Sequence, residues 1–180
     1  NADVWIGDGY GSYLVHRYSA DGSFLMSIDG TEGAGRFREP HGLSFDNEEL
    51  FITDRSNHRI VVYNSDGRFM LQSSSAHSPC CFSFLDSYVL VPELFGSVKI
   101  LDRSGLNVID EIGNNENVEP RPDGGWWPPV APEGWPNLAG TEHIRPGIFN
   151  SPHGAAFAPN GDIFIVEWII GGRIIKLEKL

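Results

Sequence analysis

Short apolar runs alternate with polar turn residues along most of the chain, and this pattern predicts β-strands. No run has the length and the 3.6-residue periodicity of a helix. The predicted strands are residues 4–7, 14–18, 24–28, 42–45, 49–53, 59–63, 69–72, 81–84, 88–91, 97–101, 108–112, 156–158, 163–167 and 173–177. Turns such as Asp21-Gly22 separate them, which is typical of antiparallel hairpins. The pattern therefore predicts an all-β protein.

A unit of about 45 residues occurs twice at the start of the chain. The equivalent pairs are Tyr18 and Tyr63, Asp21 and Asp66, and Phe24 and Phe69, each separated by 45 positions. A period of about 40–50 residues made of short strands is the sequence pattern of β-propeller blades. We therefore expect a single propeller domain over residues 1–180, with about four blades at residues 1–39, 40–78, 79–113 and 150–180.

Residues 114–149 interrupt this repeat. The segment is rich in proline, which cannot donate to a strand ladder, so it is expected to form a long loop. It also contains Trp126, Trp127 and Trp135. Two interpretations stay open: the tryptophans form a hydrophobic lid or contact surface, or the segment packs as a flap over the blades.

About four blades leave open how the ring closes, because an open propeller would expose strand edges and apolar sheet faces. Three solutions are a four-bladed ring, a part of a larger ring whose N-terminal blades precede Asn1, and a ring completed by a second copy in a homo-oligomer.

Charge and cysteine content limit the partners. The formal net charge is −11 and the basic residues are scattered, so we expect no nucleic-acid partner. No apolar stretch approaches the length of a membrane helix, and no membrane association is expected.

Cys80 and Cys81 are adjacent, and neighbouring cysteines rarely form a disulfide with each other. The cysteines leave the compartment open; our expectation is a secreted or periplasmic protein.

Pro-His-Gly occurs twice, at His41 and at His153, and in both places it opens a predicted blade. If blade symmetry directs both imidazoles to the central axis, the pair is a candidate metal site; otherwise each histidine is hydrogen-bonded inside the channel. Cys80 and Cys81 occupy the same register in the third blade. Their thiolates suit zinc, and the alternative is a pair of small buried hydrophobic residues.

Acidic residues recur at one place of the repeat, as Asp8, Asp54 and Glu167. Recurrence favours a structural role, namely accepting hydrogen bonds from backbone N–H groups. Arg59 is likewise interpreted as structural. Arg55 is either a substrate-binding residue or part of a structural ion pair.

These motifs together resemble the NHL-repeat family, and more narrowly its peptidyl-α-hydroxyglycine α-amidating lyase branch. The resemblance depends on Asp-Gly-Tyr at 8–10, on Asp-Arg-Ser-Asn-His-Arg-Ile at 54–60 and on the two Pro-His-Gly motifs. It implies an NHL-type propeller of six blades, of which about two lie upstream of Asn1. It also implies zinc held by three histidines on alternate blades, two of them His41 and His153.

The resemblance further implies roles for Tyr10 and Arg55. The substrate would be a small molecule or peptide ending in α-hydroxyglycine, and the reaction would cleave its N–C bond to give an amide and glyoxylate. Arg55 would bind the substrate carboxylate and Tyr10 would remove the hydroxyl proton, which requires a phenol pKa lowered by the nearby metal.

The chain departs from this family pattern at two positions. Gly154 replaces an aspartate that binds a structural calcium, and Ser151 replaces a methionine. A degenerate relative of the enzyme is therefore also expected from the sequence.

Two further hypotheses concern other functions. One is a non-catalytic propeller that binds other proteins. The other, ranked lower, is a calcium-dependent lactonase-type propeller, which usually has acidic axial ligands where this chain has histidine or cysteine.

Overall fold

The computed structural model of the chain describes residues 2–94, 96–113, 145–169 and 171–180. Within these ranges the chain forms strands and a single turn of 3₁₀ helix, Arg55–Asn57. No helix in the described part of the chain is long and apolar enough to cross a membrane. The strands are β1 (Val4–Asp8), β2 (Leu14–Tyr18), β3 (Phe24–Ile28), β4 (Pro40–Asp46), β5 (Glu49–Asp54), β6 (Arg59–Asn64), β7 (Phe69–Ser73), β8 (Ser83–Leu85), β9 (Tyr88–Glu93), β10 (Ser97–Asp102), β11 (Val108–Ile112), β12 (Pro152–Phe157), β13 (Ile163–Glu167) and β14 (Arg173–Leu177).

The strands form four antiparallel sheets in which sequence neighbours pair. Sheet I has the order β1-β2-β3, sheet II β4-β5-β6-β7, sheet III β8-β9-β10-β11 and sheet IV β12-β13-β14. Small antiparallel sheets of about four strands, following one another along the chain, are the blades of a propeller. The fold is thus an all-β propeller architecture, as the repeat predicted.

The described residues cluster into two compact units. Sheets I and II belong to Asn1–Ser74, and sheets III and IV belong to Ser75–Leu180. The expectation of a single domain stays a prediction.

In the first unit, one face of sheet I packs on one face of sheet II. Val15 and Ile28 of sheet I meet Leu50, Ile52 and Tyr63 of sheet II in a buried core. Each fully buried side chain of this size contributes about 1.5–3 kcal/mol relative to its exposed state. This core fixes the two sheets against each other and places their loops side by side.

The second unit has its own core between sheets III and IV. It includes Leu90 and Val98 of sheet III, Ile165 of sheet IV, and Phe149. Gly113 follows β11 directly with φ +78°, and a Cβ there would lie 2.1 Å from the Phe149 ring. Glycine is therefore required at that position, both for the backbone conformation and for the close approach.

A carboxylate ends the second strand of sheet II and of sheet IV and ties down the segment that enters each of these sheets. Asp54 accepts a hydrogen bond from the Arg38 backbone N–H at 2.7 Å, and Glu167 accepts one from Asn150 at 2.5 Å. In sheet I, Asp8 accepts the Ser12 N–H at 2.7 Å. The structural role predicted for these acids is confirmed.

Sheet III contains a further member of this series that the sequence analysis missed. Glu93 accepts the His77 backbone N–H and lies 3.4 Å from the Lys99 ammonium. The corresponding bases are Arg59 for Asp54 and Arg173 for Glu167. Arg59 also donates to the backbone carbonyls of residues 34–36. Its predicted structural role is confirmed.

Four predicted strands were wrong by two or more residues at one end. Strand β4 begins at Pro40 instead of residue 42, and β9 ends at Glu93 instead of residue 91. The strand expected over 81–84 is β8, Ser83–Leu85, because the chain before it makes only an isolated bridge between Pro79 and Glu93. The strand expected over 156–158 is β12, which begins at Pro152 because that residue already pairs with Glu167. The predicted loop lies mostly at 114–144, with its three tryptophans, outside the described residues.

Candidate functional site

Tyr10 lies at the tip of the turn between β1 and β2, and glycines on both sides shape that turn. A Cβ at Gly9 would lie 2.5 Å from the Pro40 carbonyl oxygen, and one at Gly11 would lie 2.5 Å from the Asp8 carboxylate. Asp8 closes the turn by accepting both the N–H and the hydroxyl of Ser12, each at 2.7 Å. The Tyr10 side chain is 75% exposed as a result. The prediction of an exposed turn tyrosine is confirmed.

Arg55 and His41 meet Tyr10 at this turn. Arg55 is the first residue after β5, and its Nη2 donates to the Tyr10 hydroxyl oxygen at 2.7 Å. Its guanidinium carbon lies 5.8 Å from the Tyr10 ring centroid. The His41 imidazole packs edge-on against the same ring, with centroids 6.1 Å apart. Three predicted site residues of the first unit therefore form one cluster.

Glu39 is a member of the cluster that the sequence analysis missed. Its Oε1 forms an ion pair with Arg55 Nη2, and its Oε2 accepts the Ser56 hydroxyl. Its backbone has φ +72°, a conformation that is strained for a residue with a side chain. The structural interpretation of Arg55 is supported by this ion pair, while its contact with Tyr10 keeps it in the candidate site. No sequence pattern marked Glu39.

His41 and His153 lie at β-bulges in equivalent strands. In β4, Pro40 is opposite Asp54 and Leu43 is opposite Ile52, so His41 and Gly42 together face one residue. In β12, Pro152 is opposite Glu167 and Gly154 is opposite Val166, so His153 is the extra residue. A bulge redirects a side chain out of the regular alternation of a strand. Both histidines are half-buried.

Cys80 occupies the same register in the third sheet. Pro79 bridges Glu93 as Pro40 pairs with Asp54, and Cys80 follows Pro79 as His41 follows Pro40. The Cys80 side chain is buried. The register predicted for the cysteines is confirmed for Cys80, and the equivalence extends to His153 after Pro152.

Cys81 has a different environment. Burial raises the pKa of its thiol, and its Sγ donates to the His153 backbone carbonyl at 3.7 Å. A protonated thiol that is hydrogen-bonded to the backbone agrees with the alternative given for these cysteines, namely small buried residues without a metal. We therefore leave Cys81 out of the candidate ligands.

Within the second unit, Cys80 and His153 each offer one ligand atom, and these two atoms lie within 4.8 Å of each other. His41 of the first unit has the equivalent position in its own sheet, directly after Pro40. Imidazole nitrogen and thiolate sulfur are both ligands that zinc accepts, so the donor chemistry of these residues fits zinc. The residue next to His153 is Gly154, which has no carboxylate to bind the structural calcium found in the family that the chain resembles.

Comparisons with known proteins support the propeller class. Residues 37–63, from just before β4 to β6, match the family model of the NHL repeat. Among solved structures the chain is similar to dihydro-heme d1 dehydrogenase NirN in complex with DHE, with a TM-score of 0.52 and 12% identity. The match covers 92% of this chain and 30% of that one, and at this identity it shows the fold alone. No curated protein is significantly similar in sequence. The fold and the match define a β-propeller with an NHL repeat in sheet II.

Proposed function

We propose that this propeller is a zinc-dependent lyase-like enzyme, or a degenerate relative of one, acting on a small molecule or peptide that ends in an α-hydroxyglycine-type group. On the basis of their shared register after Pro40, Pro79 and Pro152, His41, Cys80 and His153 would hold the metal, and Tyr10 and Arg55 would act on the substrate. The observation that carries the proposal is the cluster in the first unit: the Tyr10 hydroxyl lies 2.7 Å from Arg55 Nη2, and the His41 ring packs on the Tyr10 ring. A general base, a cationic group and a metal-ligand candidate are thus adjacent.

Arg55 would bind the substrate carboxylate. A guanidinium holds a carboxylate through two parallel hydrogen bonds, which fixes the orientation of the carbon between the hydroxyl and the amide nitrogen. Glu39 would keep Arg55 in place through their ion pair, since Arg55 has a side chain only 11% exposed.

Tyr10 would take the proton of the substrate hydroxyl. When that proton leaves, the C–O bond becomes the carbonyl of glyoxylate, the bond between the carbon and the amide nitrogen breaks, and the nitrogen receives a proton to become a primary amide. No water or redox partner is consumed. The hydrogen bond that Arg55 donates would hold the Tyr10 oxygen in position for this proton transfer.

Bound zinc would act as a Lewis acid toward the hydroxyl and carboxylate oxygens of the substrate. The mixed donor set of two histidines and one cysteine differs from the three histidines that the resemblance implies. This difference, together with the departures at Ser151 and Gly154, is the reason for including a degenerate relative in the proposal.

Metal content gives the first test. Purified protein loaded with zinc and then dialysed is expected to retain about one zinc per chain, and Cys80→Ser or His41→Ala is expected to lower that content. Cys81→Ser is the matched control, because Cys81 is adjacent in sequence and outside the ligand group. Equal zinc content in Cys80→Ser and wild type would contradict the ligand assignment.

Activity gives the second test. A peptide ending in α-hydroxyglycine is incubated with zinc-loaded protein, and both glyoxylate and the peptide amide are quantified. We expect Tyr10→Phe to lower kcat at least about 100-fold, the usual contribution of a general base. Tyr13→Phe is the matched control, since Tyr13 belongs to the same turn and lies outside the cluster. Turnover that is unchanged in Tyr10→Phe would overturn its assignment.

The non-catalytic alternative, a propeller that binds other proteins through the tryptophan-containing loop, stays a prediction, because residues 114–144 lie outside the described part of the chain. The secreted or periplasmic location also stays a prediction.

A further inference from the structure

A cleft opens between sheets I and II of the first unit, at the opposite end of β1 from Tyr10. Its volume is about 300 Å³, and it is lined by Asp3, Trp5, Phe45, Glu48 and Ser65. Asp3 and Trp5 lie at or just before the start of β1, whereas the other three lie near the β4–β5 and β6–β7 turns. The cleft is therefore separate from the cluster of Tyr10, Arg55 and His41.

Two aromatic rings form walls of this cleft. The centroids of the Trp5 and Phe45 rings are 6.2 Å apart, and the ring planes are inclined at 51°. Trp5 is half-buried and Phe45 is 46% exposed, so both rings keep part of their surface open. The face of an aromatic ring carries partial negative charge and attracts cations. Two inclined rings at this spacing leave an angle between them in which one cation can contact both.

The charges around the rings favour a cation as well. The Arg17 guanidinium carbon lies 5.4 Å from the Trp5 ring centroid, and Arg17 forms an ion pair with Asp3 at 2.5 Å. These two charges neutralise each other. Glu48 is exposed and, among the residues that the structure describes, forms no ion pair. Its carboxylate is thus the uncompensated charge of the cleft, and its sign is complementary to a cation.

The backbone at Glu48 is a second, independent observation. Asn47 and Glu48 form a two-residue turn, since Asp46 is opposite Glu49, and their φ angles are +46° and +66°. Two-residue hairpin turns with positive φ at both positions strongly favour glycine at the second one. The chain instead has a glutamate there, held in a strained conformation. Residues strained in this way are concentrated at functional sites, where the surrounding structure maintains them.

We propose that this cleft binds a small organic cation that carries a quaternary ammonium group. Trp5 and Phe45 would contact the methyl groups of the cation, and the Glu48 carboxylate would compensate its charge. A primary ammonium fits less well, because its three N–H donors need acceptors and Asp3 is already paired with Arg17. A quaternary ammonium has no N–H donor, so two aromatic faces and one carboxylate are sufficient for it.

Choline is the probe for this site, and the indole N–H signal of Trp5 in NMR spectra reports its binding. That signal is assigned as the one lost in Trp5→Phe. We expect a saturable shift with a Kd of about 1 mM or lower. The neutral analogue of choline in which carbon replaces nitrogen should bind at least about tenfold more weakly. Sodium chloride at equal concentration controls for ionic strength. The measurement involves neither zinc nor turnover, so its outcome is independent of the proposed function.

The turn offers a variant that should lose the ligand and keep the fold. Glu48→Gly removes the carboxylate and relieves the positive φ, so its thermal unfolding temperature should be at least that of wild type. Its Kd for choline should rise at least about tenfold. Asn47→Gly is the matched control, because it changes the same turn and keeps the carboxylate; its Kd for choline should equal that of wild type.

The aromatic wall is tested in the same way. Phe45→Leu keeps an apolar side chain but removes the ring face, and it should also weaken choline binding at least about tenfold. Phe24→Leu is its control, since Phe24 is 59% exposed and packs on Tyr18, outside the cleft. Equal affinity for choline and its neutral analogue would overturn the proposal. A shift no larger than that caused by sodium chloride, or unchanged affinity in Glu48→Gly, would overturn it as well.

Discussion

Arg55 donates through Nη2 to the hydroxyl oxygen of Tyr10 at 2.7 Å, and the same nitrogen contacts the Glu39 carboxylate. Arg55 follows the second strand of sheet II, whereas Tyr10 lies in the first turn of sheet I. The contact therefore joins two sheets of the first unit. Its strength can be measured without knowing the substrate.

A double-mutant cycle with Tyr10→Phe and Arg55→Lys should give a coupling free energy of about 0.5–1.5 kcal/mol, because a charged donor and a cation–π contact are lost together. The measurement is urea unfolding of the two single variants and the double variant. The cycle of Tyr13→Phe with Arg55→Lys serves as control and should give no coupling. Strict additivity in the first cycle would show that the contact is absent in solution.

Glu39→Gln should destabilise the protein by about 1–3 kcal/mol, because it leaves the partly buried Arg55 charge without its carboxylate. It should also raise KM for a carboxylate substrate more than it lowers kcat, since the orientation of Arg55 is affected first. Glu178→Gln is the control: Glu178 pairs with Lys176 but its side chain is 74% exposed, so little change is expected. Equal effects in the two variants would argue against a positioning role for Glu39.

Asp54→Asn should lower the free energy of unfolding by about 3 kcal/mol. The Asp54 carboxylate is fully buried and accepts hydrogen bonds from Arg38 N–H, Asn57 and Arg59. An amide would leave the Arg59 charge uncompensated, which is costly in a buried site. Chemical unfolding compared with the exposed turn variant Asp66→Asn tests this. A loss below about 1 kcal/mol would refute the structural role of the strand-end acid.

Tyr63→Phe should leave stability unchanged or raise it by about 1 kcal/mol. The Tyr63 hydroxyl is buried and has no hydrogen-bond partner among the described residues, while its ring packs edge-on against Phe37 and Phe69. Phenylalanine keeps the ring contacts and removes the unsatisfied group. Thermal unfolding at neutral pH measures the difference, with Tyr88→Phe at an exposed position as control.

The same substitution has a pH signature. Burial raises the pKa of Tyr63, so the folded protein keeps the phenolic proton after the unfolded chain has lost it. Wild-type stability is therefore complete below the unfolded phenol pKa of about 10 and falls as the pH rises above it. Tyr63→Phe should lose less stability between about pH 9 and pH 11 than wild type. If the free energies of unfolding of wild type and Tyr63→Phe fell in parallel between these pH values, the prediction would be contradicted.

Acid should weaken the turn after β10. Asp102 accepts hydrogen bonds from the Ser104 hydroxyl and the N–H groups of Gly105 and Asn107, and these hold the pKa of its carboxyl below its usual range. The folded state thus binds fewer protons than the unfolded state, and the stabilisation is lost as the pH falls below about 4. The difference in urea midpoint between wild type and Asp102→Asn should shrink from pH 5 to pH 2. Asp110→Asn in the next strand is the control.

Much of the fold could be predicted from the sequence, because the repeat places Tyr63 and Phe69 at the offsets of Tyr18 and Phe24. The strands that carry these residues were predicted to within one residue at each end. Errors occurred at the starts of β4, β8 and β12, where a bridge or a bulge decides the first paired residue. Apolar patterning carries no information on such backbone pairing.

The candidate site was only partly visible. Pro-His and Pro-Cys motifs placed His41, Cys80 and His153 in one register, which the pairing of Pro40, Pro79 and Pro152 confirms. Glu39 could not be found, because its importance depends on a positive φ and on a contact with Arg55 that no local pattern encodes. Glu93 could have been found from Lys99, which follows it at the spacing by which Arg173 follows Glu167.

The loops that enter sheets II and IV are held by their backbones. In sheet II, Arg59 donates to the backbone carbonyls of residues 34–36, and Asp54 accepts the Arg38 N–H. In sheet IV, Arg173 donates to the backbone carbonyls of Arg145 and Ile148, and Glu167 accepts the Asn150 N–H. Because these bonds use no loop side chain, amino-acid changes in the loops leave the attachment intact. Specificity at the loop surface can therefore diversify during evolution while the strands beneath it stay conserved in position.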